Sequence, residues 1–236
     1  MFNTWTLLAV SAESTPWQGS AWCMVEAQHV ASTMKIVDSA DEQNLLESLL
    51  ESNKPARMAG TEPLDYLLAT PFRYPARHGG SRFRSVTDPG VFYGAESVHS
   101  ASAELGYWRW KFLKDAPDLQ KLEPVLHTAF KVKIKTSVVN LTLAPFDADQ
   151  AVWTHKSDYS ATQNFAKIVR SANIGGIIYQ SVRDPDPAWC IALMTPKAFT
   201  EPKPDAKTQT WWLAVYQDAV IWRRDNASVT FMADDW

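Results

Sequence analysis

Residues 127–142, HTAFKVKIKTSVVNLT, alternate with a period of two. Phe130, Val132 and Ile134 fall on one side, and Lys131, Lys133 and Lys135 on the other. A strand divided in this way belongs in a sheet with one buried and one solvated face. Around it, strand-like and helix-like text interleave without a regular βαβ rhythm. The class expected is therefore α+β.

The remaining segments follow from local signals. SADEQNLLESLLESNK predicts a helix: Ser39 and Glu42 have capping-box spacing, Leu45, Leu46, Leu49 and Leu50 share a face, and Pro55 ends it. EPLDYLLAT predicts a second, short helix. A turn at TDPG leads into the short strand VFYGAES, and VHSASAELGYWRWKFLKD then reads as a helix ending near Pro117. DYSATQNFAKIVRSAN is helical, with Asp158 or Ser160 as its cap. GGIIYQSVRD and AWCIALM read as strands, and QTWWLAVYQDAVIWRR as a hairpin turning at Gln217-Asp218. AWCMVEAQHVASTMKI reads as helix or strand. The expected division is a mostly helical N-terminal extension, residues 1–65, and one domain over 66–236.

Composition narrows the function. The chain has 236 residues, 26 acidic against 23 basic, and no basic run, which argues against direct nucleic-acid binding. Cys23 and Cys190 lie far apart among apolar neighbours and read as small buried hydrophobes. His29, His78, His99, His127 and His155 are scattered without ligand spacing, so no metal site is expected. The Gly pairs at 79–80 and 175–176 match no nucleotide fingerprint. MFNTWTLLAV lacks a basic region, and Gln217 and Asp218 interrupt the longest apolar stretch, TWWLAVYQDAVIW. Neither a secretory signal nor a membrane span is expected, and the location expected is cytoplasmic.

The chemistry concentrates in SRFRSVTDPGVFYGAESVHSASAELGYWRW, residues 81–110. Arg82 stands eleven residues before Tyr93 and Glu104 eleven after it. Singly, each is ordinary: a surface cation, a strand-end aromatic, a solvated helix carboxylate. As a set, with apolar Ala101, Ala103 and Leu105 around Glu104, they suit a sugar-bearing dinucleotide. A guanidinium holds phosphates bidentately, a phenol packs on a planar base, and a carboxylate grips ribose hydroxyls and faces an oxocarbenium ion.

Five elements in order carry a resemblance. They are Pro71-Phe72-Arg73-Tyr74; Gly79-Gly80-Ser81-Arg82-Phe83; Val91-Phe92-Tyr93-Gly94; Ser100-Ala101-Ser102-Ala103-Glu104; and Tyr179-Gln180-Ser181-Val182-Arg183-Asp184. Together, over about residues 66–210, they resemble the RES domain family. Its pattern runs from an Arg-bearing strand through Gly-Gly-Arg-Trp-Asn, a strand ending in Tyr and Ala-x-x-Glu to Tyr-x-Ser-x-Arg. Phe83 and Arg84 stand in place of Trp-Asn, and the link from Arg73 to Arg82 is short.

The resemblance implies an ADP-ribosyltransferase-like fold and a toxin neutralised by an Xre-like antitoxin. It implies NAD⁺ as a consumed substrate, cleaved between nicotinamide and ribose with phosphate or water as acceptor, with no resident cofactor. A homodimer is also compatible with it. The alternatives are an ADP-ribosyltransferase acting on a specific protein and a degenerate domain that only binds. On this reading Arg82, Tyr93 and Glu104 are catalytic, while Arg73, Tyr74 and Ser181 bind the dinucleotide. Arg73 and Arg82 take the pyrophosphate or acceptor phosphate, Tyr93 packs on the nicotinamide or its ribose, and Glu104 steadies the cationic transition state. Arg183 is expected to be structural, paired with Asp184 or Asp186.

Overall fold

The structure, a computed structural model, describes residues 5–27, 36–76 and 80–236. His29, His78 and Gly79 lie outside these residues. The fold is α+β around one mixed eight-stranded sheet. The strands are β1 (Thr15–Glu26), β2 (Phe92–Ala95), β3 (Lys121–Asn140), β4 (Gly176–Gln180), β5 (Trp189–Leu193), β6 (Gln209–Tyr216), β7 (Ala219–Arg224) and β8 (Ala227–Met232). Their order is β1-β2-β5-β4-β3-β6-β7-β8, and β1 also pairs with β3, which closes the first five strands into a ring. Among the described residues only β3 and β4 run parallel; every other strand pairing is antiparallel.

The lysine-striped strand is the spine of this arrangement. β3 is 20 residues long. It gives one edge to β1 over Thr15–Glu26 and the other to β6 and then β4. Phe130, Val132 and Ile134 are buried as the alternation requires. Lys133 and Lys135 are exposed, and Lys131 lies 5.7 Å over the Trp22 ring.

Alternation divides the core in two. On one side of the sheet, Phe92, Phe130, Ile191 and Leu193 pack with Leu68 and Phe72 of α3 (Tyr66–Arg73). On the other, Met24, Ala95, Ile177 and Tyr179 pack with α4 (Val98–Lys114), α5 (Gln150–Trp153) and α6 (Ser160–Ser171). The helix α4 starts where Ser97 accepts from the Ser100 N–H, and small Ala101 and Ala103 let it lie close on the strands.

The N-terminal residues correct the expectation of a mostly helical extension. A helix α1 (Leu7–Ala12) and a helix α2 (Ala40–Ser52) do form. Between them, however, stands β1, a twelve-residue strand inside the main sheet. TPWQGSAWCMVE has no period-two run of hydrophobics because both its faces meet protein. Pairing with β3 decides its state, and local sequence does not. At α2, Ser39 accepts from the Glu42 N–H at 3.2 Å, while the Glu42 carboxylate takes the N–H of Asp38 at 2.8 Å.

A second correction concerns the first motif element. Pro71-Phe72-Arg73 is the last turn of α3 and not a strand. The strand beside β2 at that edge is β1, which carries no arginine. The hairpin at Gln217-Asp218 forms as expected, whereas β8, reached through Asp225 at φ 51°, is an addition. The helix α6 has Tyr159 before its first residue, and Asp158 accepts from the Ser160 N–H at 2.9 Å. Among the described residues, no helix is long and apolar enough to cross a membrane.

Candidate active site

Strand register builds the floor of the site. Trp22 pairs with Ala95, Ala95 with Cys190, and Cys190 with Tyr179, so one row of side chains runs across β1, β2, β5 and β4 on the α4 side. These four, with Tyr93, line a cavity of about 290 Å³. Ala101, Glu104, Leu105 and Trp108 of α4 line it as well, and so do Ser81, Arg82 and Tyr159, the Tyr159 ring edge-on to Trp108 at 6.4 Å. The volume is at the small end for ligand sites, and the lining is mostly apolar with few charges.

Glu104 projects from α4 onto this floor. Its Oε1 accepts from the Ser181 hydroxyl at 2.6 Å, and the Cys190 thiol lies 4.0 Å away. The carboxyl keeps some exposure towards the cavity, but protein surrounds it elsewhere. Burial pushes its pKa up; the Ser181 hydrogen bond and then the charges of Arg82 and Arg183 pull the other way. Ser181 itself sits at the end of β4, where its oxygen also accepts from the N–H groups of Arg183 at 3.3 Å and Asp184 at 3.1 Å. The serine expected to bind ligand donates its hydroxyl to the carboxylate.

Arg82 is buried in a tight turn, Ser81–Arg84, closed by reciprocal backbone hydrogen bonds. Gly80 enters that turn at φ 90°, and a Cβ there would stand 2.1 Å from the Arg84 carbonyl oxygen, so the position demands glycine. Arg82 Nη1 donates to the carbonyls of Trp153 at 2.8 Å and His155 at 3.0 Å, and the guanidinium lies 4.7 Å over the Tyr159 ring. Tyr93 is fixed just as firmly: its hydroxyl is 2.8 Å from that of Ser81 and accepts from the Phe83 N–H at 3.1 Å. Burial raises its pKa, which keeps the phenol protonated.

The structure therefore brings Arg82, Tyr93, Glu104 and Ser181 together and leaves Arg73 and Tyr74 apart. Arg73 reaches away from the cavity, to Glu51 at 2.8 Å and the Pro55 carbonyl at 2.7 Å. Tyr74 offers its carbonyl to Arg84 at 2.6 Å. Neither lines the cavity. Cys23 and Cys190 do line it, yet burial pushes Cys23 up to about 12 and Cys190 well above the thiol range, so both are inert apolar surface.

Two groups escaped sequence reasoning, and a third was given the wrong partner. Trp22 lay in a segment that read equally as helix or strand. Tyr159 showed only as the start of a helix, yet its ring carries Arg82 and its hydroxyl accepts from Arg183 Nη2 at 3.1 Å. Arg183 is the third. It forms no ion pair with Asp184 or Asp186. It is buried with its guanidinium 3.4 Å over Tyr107, and it donates to the Lys156 carbonyl. A stacked, hydrogen-bonded arginine needs no carboxylate partner, and its charge reaches Glu104 instead. Asp184 pairs with His99, 3.2 Å away, and that ring packs on Phe231.

Comparison with known proteins gives a family and distant structural likenesses. No curated protein matches the sequence. A chain of the crystal structure of the M. tuberculosis MbcT–MbcA toxin–antitoxin complex superposes with a TM-score of 0.48 at 13% identity, covering 95% of this chain and 91% of that one. The family model of the RES domain matches residues 54–215, which hold the Arg82 turn, Tyr93, Glu104 and Ser181, and the chain accordingly belongs to the RES domain family.

Proposed function

We propose that the protein is a toxin-type enzyme that degrades NAD⁺ by breaking the bond between nicotinamide and ribose, with phosphate or water as acceptor. A cognate antitoxin of the Xre-like kind would hold it in check. The observation that supports this most is the carboxylate of Glu104. It is only partly exposed, accepts from Ser181 at 2.6 Å and lines a cavity that Arg82 also lines.

The chemistry follows from that placement. NAD⁺ enters with its nicotinamide ribose over the β-strand floor, where the cavity has room for one half of the dinucleotide. Trp22, Tyr93 and Arg82 line the cavity; the two aromatic rings would pack on the flat base and the guanidinium would hold phosphate. As the C–N bond opens, its electron pair leaves with neutral nicotinamide and positive charge grows on the ribose. Glu104, ionised and bonded to ribose hydroxyls, stabilises that charge. Opposite unit charges about 4 Å apart interact by about 4 kcal/mol at an effective dielectric near 20. Expressed mostly in the transition state, that is on the order of a thousandfold in rate. A phosphate or water oxygen then bonds to the anomeric carbon; water gives up a proton in doing so.

The test is loss of NAD⁺ on mixing with pure protein, with and without phosphate, and mass analysis of the products. Glu104→Ala and Arg82→Ala should each lose most of the rate. No turnover by the wild-type protein, or wild-type rates in both variants, refutes the assignment. Label from NAD⁺ appearing on a protein would instead mark an ADP-ribosyltransferase, and binding without turnover a degenerate domain.

A further inference from the structure

The cavity of about 290 Å³ has room for one half of a dinucleotide, so the other half must rest on surface beside it. Trp108 of α4 belongs to both regions. It lines the cavity and is still 41% exposed. A single apolar residue on a surface is ordinary, but this one continues a row. Leu105, three residues before it, also lines the cavity, and Phe112, four residues after it, is 56% exposed. At helical spacing these three share one face, which runs from the cavity out to solvent.

The indole is held in place. Tyr107, buried, meets it edge-on at 5.4 Å, and Tyr159 meets it edge-on at 6.4 Å. Among the described residues no ring stacks flat on it. Tyr159 also carries the Arg82 guanidinium, 4.7 Å over its ring. The contacts Arg82–Tyr159–Trp108 therefore lead from the arginine of the cavity to the exposed indole.

We infer that Trp108 is the platform on which the purine base of the substrate stacks, outside the cavity, with Phe112 extending that apolar surface. The inference rests on the proposed placement of the nicotinamide ribose at Glu104 and of phosphate at Arg82. Glu104 and Trp108 are four residues apart, about 6 Å along the helix axis, and the indole reaches further out. From Arg82 the second phosphate and ribose pass Tyr159, and the purine meets Trp108. A flat aromatic surface reads the face of a base and not its edges. The ligand class is thus a purine-bearing dinucleotide, with changes at the purine edge tolerated.

The test uses the full chain as wild type, Trp108→Ala and Trp108→Phe, in steady-state NAD⁺ cleavage and in calorimetric titration with ADP-ribose. Stacking of one base is worth a factor of roughly five to a hundred in affinity. Trp108→Ala should raise the KM for NAD⁺ and the Kd for ADP-ribose at least about fivefold, with kcat within about twofold. Trp108→Phe should recover most of the loss. Affinity for nicotinamide mononucleotide, which has no purine, should be the same in all three proteins. The ethenoadenine analogue of NAD⁺ should be cleaved by the wild type with kcat/KM within about threefold of NAD⁺. Unchanged KM and Kd in Trp108→Ala, or an equal loss with nicotinamide mononucleotide, overturns the platform while leaving the proposed reaction intact. ADP-ribose binding that depends on Trp108, without NAD⁺ cleavage, sinks the reaction and upholds the platform. Neither cleavage nor binding by the wild type refutes both.

Discussion

Replacing Ser181 by alanine probes the hydrogen bond on which the site turns. In the wild type this hydroxyl donates to Glu104 at 2.6 Å and accepts, more weakly, from two backbone N–H groups. A hydrogen bond to a charged acceptor is worth about 1.5–3 kcal/mol, and one to a neutral acceptor about 1 kcal/mol. The hydroxyl therefore favours the carboxylate over the acid, and its removal must raise the Glu104 pKa beyond the rise that burial already imposes. Two signatures follow. In denaturant titrations, Ser181→Ala should cost about 2 kcal/mol where Glu104 is ionised and about 1 kcal/mol where it is protonated, so the loss shrinks as pH falls. At the higher pH the melting temperature should drop by about 4–8 °C. In NAD⁺ turnover, the acidic limb of the pH–rate profile should move to higher pH, because the variant must lose its proton later. An identical acidic limb together with a pH-independent stability loss would refute the reasoning: Ser181 would then be only a loop hydroxyl. A double-mutant cycle with Glu104→Gln isolates the pair term from the loop term.

Other perturbations read the same architecture. Glu104 has a folded pKa above its unfolded one, so any stability it contributes is present at low pH and is lost as pH rises through the folded pKa. Glu104→Gln should therefore gain stability over the wild type as pH rises, about 1.4 kcal/mol for each unit of elevation, while turnover collapses. Gly80→Ala should destabilise by about 2 kcal/mol or more in urea melts and depress turnover, since it sets a Cβ at positive φ against the Arg84 carbonyl and displaces Arg82. Arg73→Ala should leave kcat/KM within roughly twofold of wild type, because Arg73 faces α2 and not the cavity. A larger loss would return it to the phosphate site. Deleting residues 1–26 should yield protein without a cooperative thermal transition, because it removes β1 and opens the strand ring; a fragment melting like the full chain would show that β1 is dispensable.

The sequence by itself determined the elements whose local pattern and tertiary environment agree. The two-period of β3, the Ser39 cap of α2, the helical run of α4 and the hairpin at Gln217-Asp218 all declare themselves over a few residues. Arg82, Tyr93 and Glu104 stood out through the ordered motif elements that resemble the RES family, and the structure lines one cavity with all three. Only the tertiary structure decided the rest. β1 is a strand because β3 supplies its hydrogen bonds, a pairing more than a hundred residues away that no local window holds. Arg73 looked like a phosphate ligand by order in the chain, yet Pro71 stands inside a helix and the side chain is drawn to Glu51. Arg183 looked like half of an ion pair with its neighbours, yet the fold stacks it on Tyr107 and places Tyr159 between it and Arg82. Chain order fixes which groups are available, but direction in space is set by strand register and by whichever buried partner satisfies each charge first.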